Sequence, residues 1–291
     1  MNYQWYPGHM TKAIRMMQEN IKLIDIVIEL LDARIPVSSR NPDIDSLAEG
    51  KARLIVLNKA DLAQEKATKS FAEYFKEKGF TVTAMDSRKS GTAKLLNDAI
   101  RKACEEKLER NKKKGIINRP MRAMVAGIPN VGKSTLINTL SGKAGAKTGN
   151  KPGVTKGKQW IRLNKQVELL DTPGILWHRF DDPKTGERLA LIGSINDDIL
   201  DKRELSQALI RVFGDKAPEA FAQRYGISIS PKDKGEVKEH EILEAVAKAR
   251  GALLKGGEAD IDKAAGLLLD DFRSGRLGRI TLDALSDITG N

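Results

Sequence analysis

Residues 127–134, GIPNVGKS, fit the pattern G-x-x-x-x-G-K-[ST] and stand between an apolar run, MRAMVAG (121–127), and a helix-like run, STLINTL (134–140). A loop of this kind works where a strand delivers the chain to a helix N-terminus, so it constrains the local fold to strand, loop, helix. Gly127 and Gly132 let backbone N–H groups turn toward phosphates with no Cβ in the way. Lys133 is expected between the outer phosphates and Ser134 on a magnesium ion. Asn130, Val131, Gly132, Lys133, Ser134 and Thr135 are therefore assigned to a nucleotide.

The flanking sequence repeats this alternation. Runs rich in Ile, Val and Leu at 24–31, 53–57, 80–85, 122–126, 158–163 and 166–170 read as strands, with helix-like stretches such as 62–78 and 91–110 among them. Alternation of this kind predicts an α/β domain, a mostly parallel sheet covered by helices on both faces. After Trp177 the β-branched runs give way to Ala, Leu and charge at helical spacing. EHEILEAVAKARGALL (239–254) places Ile242, Ala245, Val246 and Leu253 near one stripe, and DIDKAAGLLLDDFRSG (260–275) ends at a plausible stop, Gly275. Two domains are expected, 1–178 and a helical 179–291.

Charge separates the same two parts. Residues 1–178 hold 32 Lys and Arg against 18 Asp and Glu, whereas residues 179–291 hold 18 against 21. The excess of the first part favours polyanionic partners, although a Lys-rich solvated surface would have the same composition. The longest apolar run, IDIVIELL (24–31), is broken by Asp25 and Glu29 and falls well short of the roughly 20 residues of a membrane span. The start, MNYQWYPGHM, has no signal-peptide pattern, and the single Cys104 excludes an intramolecular disulfide. A cytoplasmic protein is expected.

Three further segments complete a nucleotide site. DTPG (171–174) closes the run QVELL, so Asp171 is expected to hold a water on magnesium and the Gly174 N–H to sense the γ-phosphate. Between the two phosphate-binding segments, KTGNKPGVTKGKQW offers Thr155, or Thr148, to magnesium and the γ-phosphate. LIVLNKAD (54–61) ends in Asn58, Lys59, Ala60 and Asp61. Asp61 can accept from the ring N–H and exocyclic amine of guanine, Asn58 can bond the carbonyl edge, and Lys59 can lie across the base. Adenine lacks those donors, leaving a buried Asp61 unpaired at a cost of about 1–3 kcal/mol. MDSRKSG (85–91) follows, with Asp86 and Ser87 placed to finish the base pocket.

NKAD thus precedes the phosphate loop by about seventy residues, the reverse of the order in an ordinary GTPase. If the old ends are joined by residues about 91–122 and the chain is cut after DTPG, this order results and the sheet need not change. The chain resembles a circularly permuted GTPase of the ribosome biogenesis GTPase A (YlqF/RbgA) family, in WYPGHM, DAR (32–34), NKAD, GIPNVGKST, PGVT, DTPG and the helical tail. The resemblance implies a GTP-hydrolysing enzyme acting in late assembly of the large ribosomal subunit, through contacts with ribosomal RNA and proteins; magnesium and a monomer are expected.

The water-positioning group is not obvious. Where Ras-like proteins carry Gln after D-x-x-G, this chain has Ile175 followed by Leu176, neither able to orient water. Lys133 and Thr155 are assigned catalytic roles, and His9, in the family's YPGHM segment, is the candidate to position water. His178 is its rival and His240 lies in the tail. A His9 that merely packs the N-terminal segment fits the residues equally. Asn130 resembles the Asn that places potassium in cation-activated GTPases. Lys232, Lys234 and Lys238, and separately Arg273, Arg276 and Arg279, could meet RNA phosphates, the last three expected on one helical face. An alternative class is a nucleotide-gated RNA-binding scaffold with incidental hydrolysis. A permuted GTPase of the small subunit would be expected to carry a zinc or OB-like module.

Overall fold

The computed structural model describes residues 8–116, 119–141, 159–177, 180, 182–232 and 235–286, without the side chains of His9, Ser141, Gln159 and Glu236. Its contacts divide the chain into two compact units, one drawn from 4–180 together with the stretch from Asp283 onward, the other from 181–282.

The first unit is built on one six-stranded sheet. Its elements are α1 (Gly8–Asn20), β1 (Ile26–Asp32), α2 (Asp43–Leu47), β2 (Ala52–Asn58), α3 (Glu65–Glu77), β3 (Thr81–Ala84), α4 (Thr92–Ala103), α5 (Glu105–Lys113), β4 (Met121–Gly127), α6 (Lys133–Ser141), β5 (Gln159–Arg162) and β6 (Val167–Asp171). The spatial order is β3-β2-β1-β4-β6-β5; all neighbours are parallel except β5, which pairs antiparallel with β6. All seven residues of β1 are buried, as a central strand covered on both faces requires. Val27 packs with Ala13 and Met17 of α1, Ile44 of α2 and Ile175, while Leu31 packs with Phe71 and Phe75 of α3.

Strand order positions the site. From β1 the chain moves outward to β2 and β3, then returns across the sheet to β4 and continues the other way to β6. The direction reverses between β1 and β4, where open α/β sheets bind ligands at the carboxyl ends of their strands. Those ends are stepped across the sheet: Asp32 is paired with Asn58, Gly127 with Leu30 two residues before the end of β1, and Asp171 with Val125 two residues before the end of β4.

The stretch 91–110, expected as one helix, is two. Cys104 leaves helical angles (φ −105°, ψ 10°), and α5 beyond it has no buried residue to hold it to the sheet.

The second unit is helical: α7 (Pro183–Leu191), α8 (Lys202–Lys216), α9 (Glu219–Tyr225), α10 (Glu236–Ala249) and α11 (Ile261–Arg273). Asp182, Asp201 and Asp260 each accept from a first-turn N–H of α7, α8 and α11, capping donors that have no partner within the helix. Phe213 lies edge-on to both Phe221 and Phe272 in the core. The buried stripe of α10 is Ile242, Leu243, Val246 and Ala247, while Ala245 is half-buried. Leu253 is exposed, because the helix ends at Ala249 and the chain turns at Gly251 (φ +63°). Gly275, at φ +81°, does follow the end of α11. Among the described residues no helix is long and apolar enough to cross a membrane.

Candidate nucleotide-binding site

Strand β4 delivers the chain into the loop 127–132, and α6 begins at Lys133. The loop turns through two left-handed residues, Asn130 (φ +58°) and Gly132 (φ +101°). At Gly132 a side chain is excluded twice over, since its Cβ would also lie 2.5 Å from Asn58 Nδ2. Lys133 Nζ folds back over the loop and donates to the carbonyls of Gly127 and Ile128, each at 2.8 Å. Burial pushes this ammonium down to about 7 against the opposing pull of Asp171. A buried lysine whose hydrogen bonds go to neutral carbonyls suits an anion.

The segment after β6 closes on the same loop. Asp171 is buried at the strand end, and Ile175 N donates to Gly127 O at 3.2 Å. A Cβ on Gly174 would lie 2.8 Å from Pro129 Cα and 3.0 Å from Lys133 Nζ, so only glycine lets this turn approach the phosphate loop. Ser134 lies in the first turn of α6 and is half-buried, as is Thr135.

The NKAD segment lies at the end of β2. Asn58 is buried; its Nδ2 donates to Val131 O (2.8 Å), and its Oδ1 accepts from Ser87 N (3.1 Å) and Ser87 Oγ (2.7 Å). The Asn58 side chain ties NKAD to both the phosphate loop and MDSRKSG. Lys59 takes a left-handed backbone (φ +56°), and its Nζ lies 3.1 Å from Asp32 Oδ2. Ala60 N donates to Met85 O at 3.2 Å, holding the NKAD turn to the end of β3. Asp61 Oδ2 accepts from Arg88 Nη2 at 2.6 Å, whereas Asp61 Oδ1 is buried with no hydrogen-bond partner. A carboxylate oxygen left unsatisfied in this position suits the paired N–H donors of guanine.

These distances bring Asn58, Lys59, Ala60, Asp61, Asp86 and Ser87 together with the phosphate loop and DTPG at one end of one sheet. A family model described as "50S ribosome-binding GTPase" matches residues 122–220. Ribosome biogenesis GTPase A of Bacillus cereus is 46% identical over 283 residues, covering 97% of this chain and 94% of that protein.

This chain belongs to the ribosome biogenesis GTPase A family. The family protein of Thermotoga maritima is 35% identical over 98% of this chain and 95% of its own length. A solved structure of GDP-bound YlqF superposes with a TM-score of 0.65 at 30% identity, covering 92% of this chain and 98% of that one. GNP-bound YlqF from T. maritima gives the same score and identity over 94% and 97%.

Thr155, Thr148, His178 and Lys234 fall outside the described residues. His9 lies on α1, its side chain not described. His240 is exposed on α10, 3.4 Å from Glu244. Arg273, Arg276 and Arg279 do not share a helical face, because α11 stops at Arg273. Arg273 pairs with Asp197 (2.7 and 2.9 Å), Arg276 pairs with Asp271, and Arg279 is exposed. Lys238 pairs with Glu241 and Lys232 is exposed.

Two participants carry no sequence assignment beyond the DAR resemblance. Asp32 is buried and gripped by Arg34 through Nε (2.9 Å) and Nη2 (2.8 Å). Burial acts to raise this carboxyl, but Arg34 and Lys59 more than reverse it and hold it well below the usual range. The other is Arg88, one residue beyond the assigned pair Asp86 and Ser87.

Proposed function

We propose that this protein hydrolyses GTP to GDP and phosphate during late assembly of the large ribosomal subunit, binding precursor rRNA and ribosomal proteins. One observation carries the reading: a single side chain, Asn58, joins the base-reading and phosphate-holding loops beside a buried Lys133. The relatives' names supply the ribosome, and the basic excess of residues 1–178 suits a polyanionic partner.

In this mechanism Lys133 meets the outer phosphates, the backbone from Asn130 to Thr135 cradles them, and the Gly174 N–H senses the γ-phosphate. Oxygen donors from Ser134, Asp171 (through water) and Thr155 would hold magnesium, a hard cation that neutralises charge developing on the transferred phosphoryl group.

Water is positioned by His9. Met10, its neighbour on α1, accepts from Leu176 N through Sδ at 3.5 Å, and Ala13 and Met17 pack with Ile175. The helix carrying His9 therefore lies along the segment that follows DTPG, which supports the assignment. A potassium ion at Asn130 is the second candidate, and equal rates in sodium and potassium would dispose of it. A cytoplasmic monomer completes the reading.

A nucleotide-gated scaffold is favoured by one feature, the complete burial of Ile175 and Leu176 where a water-orienting Gln would stand. A hydrolysis-dead, GTP-binding variant that still matures subunits would establish it. The leading reading is tested by GTP turnover in potassium buffer, alone and with large or small ribosomal subunits. Stimulation by the large subunit alone is expected; none by either would overturn it.

A further inference from the structure

Arg88 projects from the turn between β3 and α4. Its Nε and Nη2 fork onto Asp86, at 2.9 Å to Oδ1 and 3.1 Å to Oδ2, and Nη2 also donates to Asp61 Oδ2 at 2.6 Å. Arg88 N donates to Asp86 Oδ1 at 3.0 Å, fixing the turn. The Arg88 side chain is 66% exposed, against 17% for Asp61 and 9% for Asp86, so the guanidinium covers the two carboxylates from the solvent side.

Guanidinium is also the chemical pattern that guanine presents along its N1–H and exocyclic amine edge: adjacent, coplanar N–H donors on an N–C–N unit, matched to the two oxygens of a carboxylate. Guanine needs both oxygens of Asp61. Oδ1 is buried with no hydrogen-bond partner, while Oδ2 is held by Arg88.

We infer that Arg88 is an internal competitor for Asp61, a specificity-site residue that yields Oδ2 to guanine and thereby lowers guanine-nucleotide affinity below what Asp61 alone would give. The inference rests on Asp61 being the base-reading carboxylate. Arg88 keeps its fork on Asp86 when it leaves Asp61, so the displaced guanidinium is never unpaired. The ion pair it gives up is solvent-exposed on one side, which limits the competition to a factor of about two to five in affinity.

The test uses the full chain and methylanthraniloyl-GDP, followed by equilibrium and stopped-flow fluorescence. Arg88→Ala is expected to bind about two- to fivefold more tightly, with faster association, and Arg88→Lys, which keeps charge but loses the fork, to fall between it and the unmodified protein. Unchanged or weaker binding by Arg88→Ala would overturn the inference. A second arm uses Asp61→Asn, whose amide can donate to the 2-carbonyl of xanthine, with methylanthraniloyl-XDP as probe. In that background Arg88→Ala should change affinity less than about twofold, since no carboxylate at 61 remains to be contested. An equal gain in both backgrounds would overturn the inference while leaving base reading intact. A failure of Asp61→Asn to shift preference from guanine to xanthine would remove the base-reading assignment itself, and the competitor role with it.

Discussion

Asn58 Nδ2 donates to Val131 O at 2.8 Å, across a sequence separation of 73 residues. The same amide accepts twice from Ser87, so three chain segments meet on one buried side chain. NKAD, MDSRKSG and the phosphate loop are thereby tied together, although NKAD precedes the phosphate loop along the chain.

Asn58→Ala should therefore damage both stability and binding. It leaves Val131 O and Ser87 without their partner in a buried setting, a loss of about 1–3 kcal/mol. Urea unfolding should show that loss, and titration with fluorescent GDP should show affinity falling at least about tenfold. A stable variant with undiminished affinity would mean the two loops are aligned by the sheet alone.

Lys133 predicts a pH dependence. Its ammonium titrates at about 7 in the folded protein, against an ordinary 10.5. Between those values the unfolded chain binds more protons, so this residue's contribution to stability rises with pH from about 7 to 10.5 and is flat below 7. Urea unfolding without nucleotide at pH 7 and pH 9 should show the rise, and Lys133→Met should remove it. Phosphate favours the charged form, so GDP binding at pH 8 should take up protons, measurable by calorimetry in buffers of different ionisation enthalpy.

Gly174→Ala should separate hydrolysis from nucleotide binding. The added methyl would press on Pro129 and Lys133 Nζ, forcing the DTPG turn off the phosphate loop. GTP turnover should fall more than about tenfold and stability by about 1–3 kcal/mol, while GDP, lacking the γ-phosphate, should bind within a few-fold of normal. Equal loss of GDP binding and turnover would reduce Gly174 to a packing role.

Asp283→Ala tests how the chain's last described stretch is held. Its Oδ2 accepts from Val37 N (2.7 Å) and Ser38 N (2.9 Å), its Oδ1 from Ser38 Oγ (2.7 Å), and Leu285 packs beside Phe71 and Phe75. Losing a buried carboxylate with three donors should cost about 2–4 kcal/mol in thermal or urea unfolding. Ser38→Ala, which removes one donor, should cost less.

Contiguous residues determined much of this protein from sequence alone. GIPNVGKS, DTPG and NKAD carry their own backbone demands, such as the left-handed turns at Asn130 and Gly132, and the β-branched runs between them specify a parallel sheet because period and length are local properties. Tertiary structure decided which side chains those motifs lean on. Asp32 under Lys59, Arg88 over Asp61, Asn58 against Val131 and Asp283 against Ser38 are meetings of distant segments, set by strand order and register. The same cause explains the basic residues: spacing puts Arg273, Arg276 and Arg279 on one face, but the chain turns after α11 and Arg273 and Arg276 are drawn into ion pairs with Asp197 and Asp271. A charged side chain's partner depends on what folding brings within reach, and local pattern does not encode that.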